Sequence, residues 1–593
     1  MKSRPAEDAV IHRAAPQLAW AAAAVAVAAF ASIIYWGTVR NGFVYDDIPQ
    51  VVKNPWIRDP RNLLRAFTMG SWAYEGTTSN YYRPVMHLVY TASYTLFGLG
   101  PAGFHAVSVA LHATVSVLVL SASAVLLSRG DQGPRARLAL ATAAALLFAS
   151  HPIHTEAVSW IGGVPDLGAS LFCLACFCVH ASLPRDRPLS WRYGLSLALF
   201  FLATLSKEMA LVFPLVLVAY DVSFRREVGL RRLAGWYLGY ASVSVAYLAL
   251  RWNALGGFAP VRRHAEVTGW GLPLNALVLF SGYLRKLALP LDLSVFYGFH
   301  PVQSWADPSA LVSLGVALLF LAAGVFFWRK GAAGAFVAWA MLLVPLLPAL
   351  YIPGVGENPF AERYLYLPSV GLVWLLALGA GTARTAGARV GVSACGLVLL
   401  AAYTAGTVVR VGDWASDLTL WRDAAAKSPG APIAHYNLGA ALLGEGRADL
   451  AVSEFEAAVR LEPSAVAWTS LGNAYREAGR PEEGVRAFRA ALSLDPGLEA
   501  AYDGLGLAYV ELGQPAAALE PLRIAVALAP RSALAHHTLA FAYERLGLVD
   551  AAIQGYEEAL RADPSDGAAR QRLLRLLRER AAVNGQGAEE RVP

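Results

Sequence analysis

The sequence predicts an all-α protein, in which a polytopic bundle of membrane helices is followed by an α-solenoid. Hydrophobic residues make up 56% of the 593 residues and charged residues only 16%, which is less charge than a soluble globular protein usually carries. The apolar residues form blocks long enough to cross a bilayer, and these blocks stop near Arg410. Beyond Arg410 the chain is charged, rich in alanine and periodic, so we expect a membrane domain over 1–410.

About eleven segments of this domain are predicted to cross the membrane. The first, 18–38, is not followed by a small-residue cleavage site and is predicted to be a retained helix. Two further segments are marginal, because 85–97 is short and 272–288 contains Arg285 and Lys286. The predicted spans are 18–38, 102–127, 136–150, 164–182, 190–205, 208–222, 233–251, 307–328, 332–351, 364–382 and 388–409.

The basic residues orient these spans, because loops rich in Lys and Arg stay in the cytoplasm. If both marginal segments lie at the interface without crossing, every tight basic loop falls on one side. This predicts a cytoplasmic N-terminus and a C-terminus outside the cytoplasm. The Ala-, Arg- and Gly-rich composition is typical of a GC-rich bacterium, so we expect an inner-membrane protein with its outer face in the periplasm. The cytoplasmic basic residues are Lys2, Arg4, Arg13, Arg129, Arg135, Arg137, Arg185, Arg187, Arg192, Arg225, Arg226, Arg231, Arg232, Arg329, Lys330, Arg384 and Arg389.

The opposite face collects polar motifs from six separate loops. Charged groups at membrane depth are energetically costly and indicate function. Ordinary loop polarity, with helix caps and headgroup contacts, is the alternative. The motifs are YDD at 45–47, YYRP at 81–84, HPIHTE at 151–156, SKE at 206–208, RW at 251–252 and ENPFAERYLY at 357–366.

The C-terminal third repeats a pattern every 33 or 34 residues, with prolines at 429, 463, 496, 530 and 564. Leu-Gly pairs, aromatic positions and small residues recur in register, which is the tetratricopeptide (TPR) signature. We predict four repeats within 411–582, a lead-in half repeat near 415–430, a capping helix near 566–582 and a disordered tail over 583–593. Such arrays stack into a solenoid with a concave groove that binds peptides or proteins. A purely structural spacer is the alternative.

Several motifs occur in an order that resembles a known family: FVYDD after the first span, NYYRPVMHLVYTASYTLFGLGPAGFHAVSVALH, HPIHTEAVSWIGGVPDL, LATLSKEMALVFPLVLVAYD, ERYLYLPSVG and then the repeats. The membrane half resembles the GT-C superfamily of glycosyltransferases that use lipid-linked sugars. The whole chain resembles the O-mannosyltransferases that join transmembrane helices to TPRs, over about residues 18–580.

The resemblance implies transfer of a sugar, with mannose expected, from a polyprenyl-phosphate donor to a protein hydroxyl outside the cytoplasm. Inversion at the sugar carbon is usual in such enzymes, and the TPR groove would bind the acceptor. An aspartate of the first outer loop, here 39–101, acts as general base, which carries over to Asp47 with Asp46 as its partner. The residues implied at the donor phosphate and substrate are Arg83, Lys207, Arg363, His151, His154, Glu156, Glu208, Glu362 and Tyr82.

The chemistry of these residue types fits such a reaction. A hydroxyl becomes a good nucleophile when a carboxylate takes its proton, and fixed cations stabilise the charge that a phosphate gains as it leaves. Adjacent side chains in an extended loop point apart, so Asp46 and Asp47 are not expected to reach the same atom. A turn or helix cap before Pro49 is the alternative for this pair. For Lys207 and Arg363 the alternative is an ion pair with the adjacent glutamate.

No cofactor is predicted to be required. His151, His154 and Glu156 lie within one loop and could bind a divalent metal, but eukaryotic members of the resembled family are regarded as metal-independent. The four cysteines fall in apolar spans and form no disulfide framework. Cytoplasmic loops account for much of the net charge of +6, so a nucleic-acid partner is not predicted. The expected partners are the lipid-linked donor, the protein acceptor and membrane lipid.

Two other functions remain open at the level of sequence. A non-catalytic, membrane-anchored TPR scaffold for envelope protein assembly would leave the six polar motifs unexplained. A transferase that acts on a glycan or lipid acceptor would keep the motifs and use the repeats to recruit partners.

Overall fold

The computed structural model describes residues 5–128, 130, 132–184, 190–228, 230–261, 264, 267–354 and 359–589. Its contacts divide the chain into two compact units, Met1–Leu420 and Trp421–Pro593. No β-strand occurs in the described ranges. The all-α fold class, a membrane helix bundle followed by TPRs, is confirmed.

The first unit is built from helices joined by short 3-10 turns. After the first helix, five begin with proline, at Pro84, Pro101, Pro134, Pro214 and Pro308. Proline suits the first helical position because its missing N–H would be unpaired there. The helices are α1 Pro5–Ile34, α2 Leu63–Thr68, α3 Pro84–Phe97, α4 Pro101–Leu127, α5 Pro134–Ser150, α6 Thr155–Ser159, α7 Val164–Ala181, α8 Trp191–Ser206, α9 Pro214–Phe224, α10 Leu230–Leu255, α11 Gly271–Ala288, α12 Pro308–Arg329, α13 Ala333–Leu343, α14 Ser369–Ala380, α15 Ala386–Val411 and α16 Asp417–Lys427.

Within the described ranges, not every predicted span forms one helix long enough to cross a membrane by itself. Among the described residues, seven helical segments have the length and apolarity of a span, or eight if the pair α5 and α6, bent by 51°, counts as one. A helix needs about 20 residues to cross a bilayer. The predicted spans 190–205, 208–222 and 364–382 contain helices of only 16, 11 and 12 residues. The polar motifs at 206–208 and 362–365 form extended or 3-10 segments beside these helices, so the regular helices are shorter than the predicted segments.

The two marginal segments are helical but are not candidate spans. They form α3 and α11, of 14 and 18 residues. The core of the unit lies where α4, α5, α7, α9, α13 and α14 pack together. Gly371 allows α14 to approach α13 closely, since a Cβ there would lie 2.4 Å from the carbonyl oxygen of Ala338.

The second unit contains four helix hairpins and a final helix. Gly446, Gly479, Gly513 and Gly547 follow the first helix of each hairpin with φ of 72° to 74°, a left-handed conformation that side chains other than glycine rarely adopt. The last helix reaches Glu589, so the predicted tail is helical to that point, and 590–593 lie outside the described residues. The helices are α17 Pro432–Gly444, α18 Ala448–Leu461, α19 Ala465–Glu477, α20 Pro481–Leu494, α21 Glu499–Glu511, α22 Pro515–Leu528, α23 Ala533–Arg545, α24 Val549–Ala562 and α25 Gly567–Glu589.

Candidate active site

The aspartate pair lies in a tight turn after α1. The turn is closed by the amide of Asp47, which donates to the carbonyl of Val44 at 3.0 Å. The carboxylate of Asp47 then accepts two backbone N–H groups, from Val44 at 3.1 Å and from Gly162 at 2.9 Å. Asp47 is fully buried, and this burial raises its pKa well above the usual range, although the two amides oppose the shift.

The two aspartates therefore have different environments. Asp46 is partly exposed, whereas both oxygens of Asp47 already accept hydrogen bonds inside the protein. A base must reach the proton that it abstracts, and of the two aspartates Asp46 is the more exposed residue. The sequence-based assignment of Asp47 as the base stays a prediction. The geometry favours Asp46 for contact with a substrate and Asp47 for holding the loop.

Three predicted phosphate-binding cations come together from separate segments. Arg83 pairs with Glu208 at 2.9 Å, Lys207 pairs with Asp166 at 2.5 Å, and Arg363 pairs with Glu156. Each cation pairs with an acid that is distant in the sequence. Lys207 and Arg363 therefore pair with these distant acids and not with the adjacent Glu208 and Glu362. Arg363 is instead held by an acid that is 207 positions away.

The cations differ in how far they remain accessible. The side chains of Arg83 and Arg363 are 16% and 22% exposed, whereas that of Lys207 is 2% exposed. Burial lowers the pKa of Lys207 to about 8, although Asp166 opposes this shift. For Arg83 and Arg363, burial alone would lower the pKa, but Glu208 and Glu156 respectively raise it above the usual value. All three groups can carry positive charge at neutral pH.

Aromatic rings connect the aspartate turn to these cations. The ring of Trp160 lies 6.0 Å from that of Tyr45 and 5.2 Å from the guanidinium of Arg363. The ring of Tyr364 lies 4.7 Å from Lys207 Nζ and 5.1 Å from the Arg363 guanidinium. A small cavity of about 30 Å³ is lined in part by Asp166, Lys207, Arg363 and Tyr364. Ring contacts through Trp160 therefore link the aspartate turn to Arg363.

The side chains of the histidine motif bond other groups of the protein. His151 Nε2 bonds the carbonyl of Leu287 at 3.0 Å, and His154 Nε2 bonds Ser369 Oγ at 2.9 Å. Both rings are fully buried, and Glu156 is engaged with Arg363. Across the described ranges no group of three or more His, Cys, Asp or Glu side chains is arranged to hold a metal ion.

Tyr82 and Glu362, which were also predicted at the site, bond other parts of the protein. Tyr82 is buried against Tyr247, and its hydroxyl donates to the carbonyl of Phe67 at 2.9 Å, so it does not line the site. Glu362 accepts hydrogen bonds from the amide of Ser294 at 2.8 Å and from Arg410 at 2.9 Å. Burial raises the pKa of Glu362, while Arg410 opposes the shift. Glu362 thereby holds the turn that bears Arg363.

Sequence reasoning missed Asp166 and Trp160. Asp166 lies in the first turn of α7, within an otherwise apolar span. A lone carboxylate in such a span indicates a nearby cation, and this signal was available within the GGVPDL segment. Trp160 carried no comparable signal, because its position between Tyr45 and Arg363 depends on the tertiary fold.

The fold and the site define a multi-pass α-helical membrane protein that has a charge-lined site in its membrane unit and a TPR array at its C-terminus. Residues 408–466, 465–498 and 504–567 match models described as tetratricopeptide repeat. The chain is similar to Protein O-mannosyl-transferase F38B6.6 of Caenorhabditis elegans, with 26% identity over 73% of this chain and 61% of the relative. It is also similar to Protein O-mannosyl-transferase TMTC3 of Mus musculus, with 28% identity over 72% of this chain and 50% of the relative. The predicted resemblance is therefore confirmed.

The chain spans about half to three fifths of the length of these curated relatives. Among solved structures, a crystal structure of MamA matches with 24% identity over 26% of this chain and 89% of that chain, at a TM-score of 0.23. The thermophilic TPR protein TTC0263 of Thermus thermophilus matches with 26% identity over 28% of this chain and 92% of that chain, at a TM-score of 0.25.

Proposed function

We propose that this protein is an integral membrane glycosyltransferase that moves a sugar, mannose by analogy with its relatives, from a polyprenyl-phosphate donor to a hydroxyl of a protein acceptor. The observation that carries the proposal is the convergence of Arg83, Lys207 and Arg363 next to the aspartate turn. These residues come from three separate segments, and each is held by its own acid. Curated relatives named protein O-mannosyl-transferase support the same reaction class.

The cations would bind the donor phosphate. As the bond between the sugar carbon and the phosphate oxygen breaks, the phosphate keeps the electron pair and gains negative charge. Fixed cations in a poorly hydrated site stabilise that charge without reorganising during the reaction. Arg83 and Arg363 keep accessible surface for direct contact, and the buried Lys207 contributes its charge from behind them. The pairing acids hold the cations in place when no donor is bound.

Asp46 would act as the general base. It takes the proton of the acceptor hydroxyl while the hydroxyl oxygen forms a bond to the sugar carbon from the face opposite the phosphate. This displacement inverts the configuration at that carbon. Asp47 holds the turn through its bonds to Val44 and Gly162 and so orients its neighbour. Base catalysis of this kind contributes about 10²- to 10⁴-fold.

The remaining parts of the proposal concern the surroundings of the site. We place the site and the TPR array outside the cytoplasm, in the periplasm of a bacterial inner membrane, because the basic loops concentrate on the other side. The TPR array would bind the acceptor protein or a partner, as such solenoids commonly do. No cofactor is needed for a displacement that uses carboxylate and cation chemistry alone.

The test uses the purified full chain in lipid vesicles with labelled polyprenyl-phosphate mannose and a mixture of periplasmic proteins. We expect the wild type to transfer label to protein and Asp46→Asn to lose at least about a hundredfold in rate. Arg61→Gln is the matched control, since Arg61 lies in the same outer loop and its side chain is 91% exposed. Absence of transfer by the folded wild type, or full transfer by Asp46→Asn, would contradict the proposal.

The same assay separates the alternatives. Label recovered in glycan or lipid but not in protein would favour a different acceptor, and binding of envelope proteins without any transfer would favour a scaffold. Unchanged transfer in the presence of a chelator is expected if no metal takes part.

A further inference from the structure

The segment 410–417, here called the connector, joins α15 to α16 and touches the aspartate turn directly. It accepts hydrogen bonds from three residues that lead into the aspartate pair. Two of these donors are backbone amides, so the contact restrains the path of the chain as well as the side chains. The three bonds are Asn41 Nδ2 to the Val411 carbonyl at 3.2 Å, Gly42 N to the Ala415 carbonyl at 3.0 Å, and Tyr45 N to Asp417 Oδ1 at 2.8 Å.

The connector also reaches the cation side of the site. Arg410 bonds Glu362 at 2.9 Å, and Glu362 directly precedes Arg363. Trp414 stacks on Trp160 at a centroid distance of 6.3 Å and an interplanar angle of 25°. The same short segment therefore contacts the turn that would hold the base and the turn that would hold the phosphate.

Tyr45 is the point at which the aspartate turn depends most on this contact. Its φ is +52°, a left-handed conformation that is unfavourable for a residue with a Cβ. Such a residue keeps this conformation only when its surroundings hold it there. The carboxylate of Asp417 accepts the hydrogen bond of the Tyr45 amide, immediately before Asp46, so it helps to hold the backbone that directs the proposed base.

We propose that Asp417 is a positioning residue for the aspartate pair, acting through the Tyr45 amide and not through contact with substrate. This inference rests on the proposed function for its effect on catalysis. Removal of the acceptor should let the Tyr45 backbone relax toward negative φ and turn Asp46 away from the acceptor hydroxyl. Asparagine keeps an acceptor oxygen at the same position, whereas alanine removes it.

The kinetic test compares Asp417→Ala with Asp417→Asn in the full chain, using labelled polyprenyl-phosphate mannose as donor. Alanine should lower kcat about tenfold or more with the donor KM within about twofold, because displacement by about 1 Å can cost up to a hundredfold in rate. Asparagine should restore most of kcat. Asp423→Ala is the matched control, because it removes another acid of α16 that pairs with Lys427 at 2.5 Å. Wild-type kcat in Asp417→Ala, or equal losses in Ala and Asn, would overturn the proposal.

Hydrogen exchange of the segment 41–48 provides a readout that needs no activity. We expect faster exchange in Asp417→Ala and wild-type exchange in Asp417→Asn and Asp423→Ala. Equal exchange in all variants would overturn the positioning role even if the protein is a transferase. A wild type that transfers nothing would refute the proposed function, and the exchange result would still decide this inference. Asp417→Gln, which displaces the acceptor by one methylene, replaces Asp417→Ala if the latter does not fold.

Discussion

Replacement of Asp166 by alanine would leave the ammonium group of Lys207 buried without its nearest acid. Nζ of Lys207 lies 2.5 Å from Asp166 Oδ1, and the two side chains are 2% and 7% exposed. Loss of one partner of a buried ion pair costs about 3–5 kcal/mol, because the remaining charge has no compensation. The pKa of Lys207, which burial already lowers to about 8, should fall further once the opposing carboxylate is gone.

Two measurements follow from Asp166→Ala in the purified full chain. The free energy of unfolding of the membrane unit should decrease by about 3–5 kcal/mol, as read from denaturant unfolding in detergent. The donor KM should rise about ten- to a hundredfold at neutral pH, since a hydrogen bond to a charged group contributes about 1.5–3 kcal/mol.

A double variant separates the two effects. Asp166→Leu together with Lys207→Met replaces the pair by apolar side chains, which often restores the stability lost when one charge is removed. We expect recovery of stability without recovery of donor binding. Wild-type donor KM in the double variant would refute the role of Lys207 at the phosphate, and unchanged stability in Asp166→Ala would refute the buried-pair argument.

Three further predictions concern other features of the chain. The rate of transfer should decline as pH rises through about 8, because Lys207 loses its proton there. The Lys207→Arg variant, whose side chain stays protonated, should show no such decline in its pH–rate profile. An unchanged decline in this variant would assign the titration to another group. Asp47→Asn should cost about 1–3 kcal/mol of stability, because one of two buried amides loses its acceptor. A Tm equal to that of the wild type would contradict the role of Asp47 in holding the loop. Gly472→Ala should destabilise the repeat array by about 1–3 kcal/mol, because its Cβ would lie 2.7 Å from the ring of Phe488. Limited proteolysis of the repeats measures this loss. Wild-type resistance to the protease would show that the Phe488 ring moves aside without loss of stability.

The sequence alone predicted the fold class and named most of the residues that form the candidate site described above. Arg83, Lys207, Arg363 and both aspartates were identified from polar motifs at the ends of apolar segments. Hydropathy does not show where 3-10 turns interrupt a helix, as they do next to Lys207 and from Glu362 onward. The histidines were expected at the pocket, but their rings pack inside the bundle.

The sequence by itself determined the features that local patterns encode. These are the apolar helices, the polar motifs between the apolar segments and the repeat of 33 or 34 residues. The tertiary structure decided which groups meet. Lys207 pairs with an acid 41 positions away, Arg83 with one 125 positions away and Arg363 with one 207 positions away, although Lys207 and Arg363 each have a glutamate beside them in the sequence. Buried charges select partners by direction and distance in space, and neither quantity can be read from the order of residues. Tertiary contacts also decided the difference between the two aspartates. Asp47 is buried and holds the loop, whereas Asp46 is partly exposed.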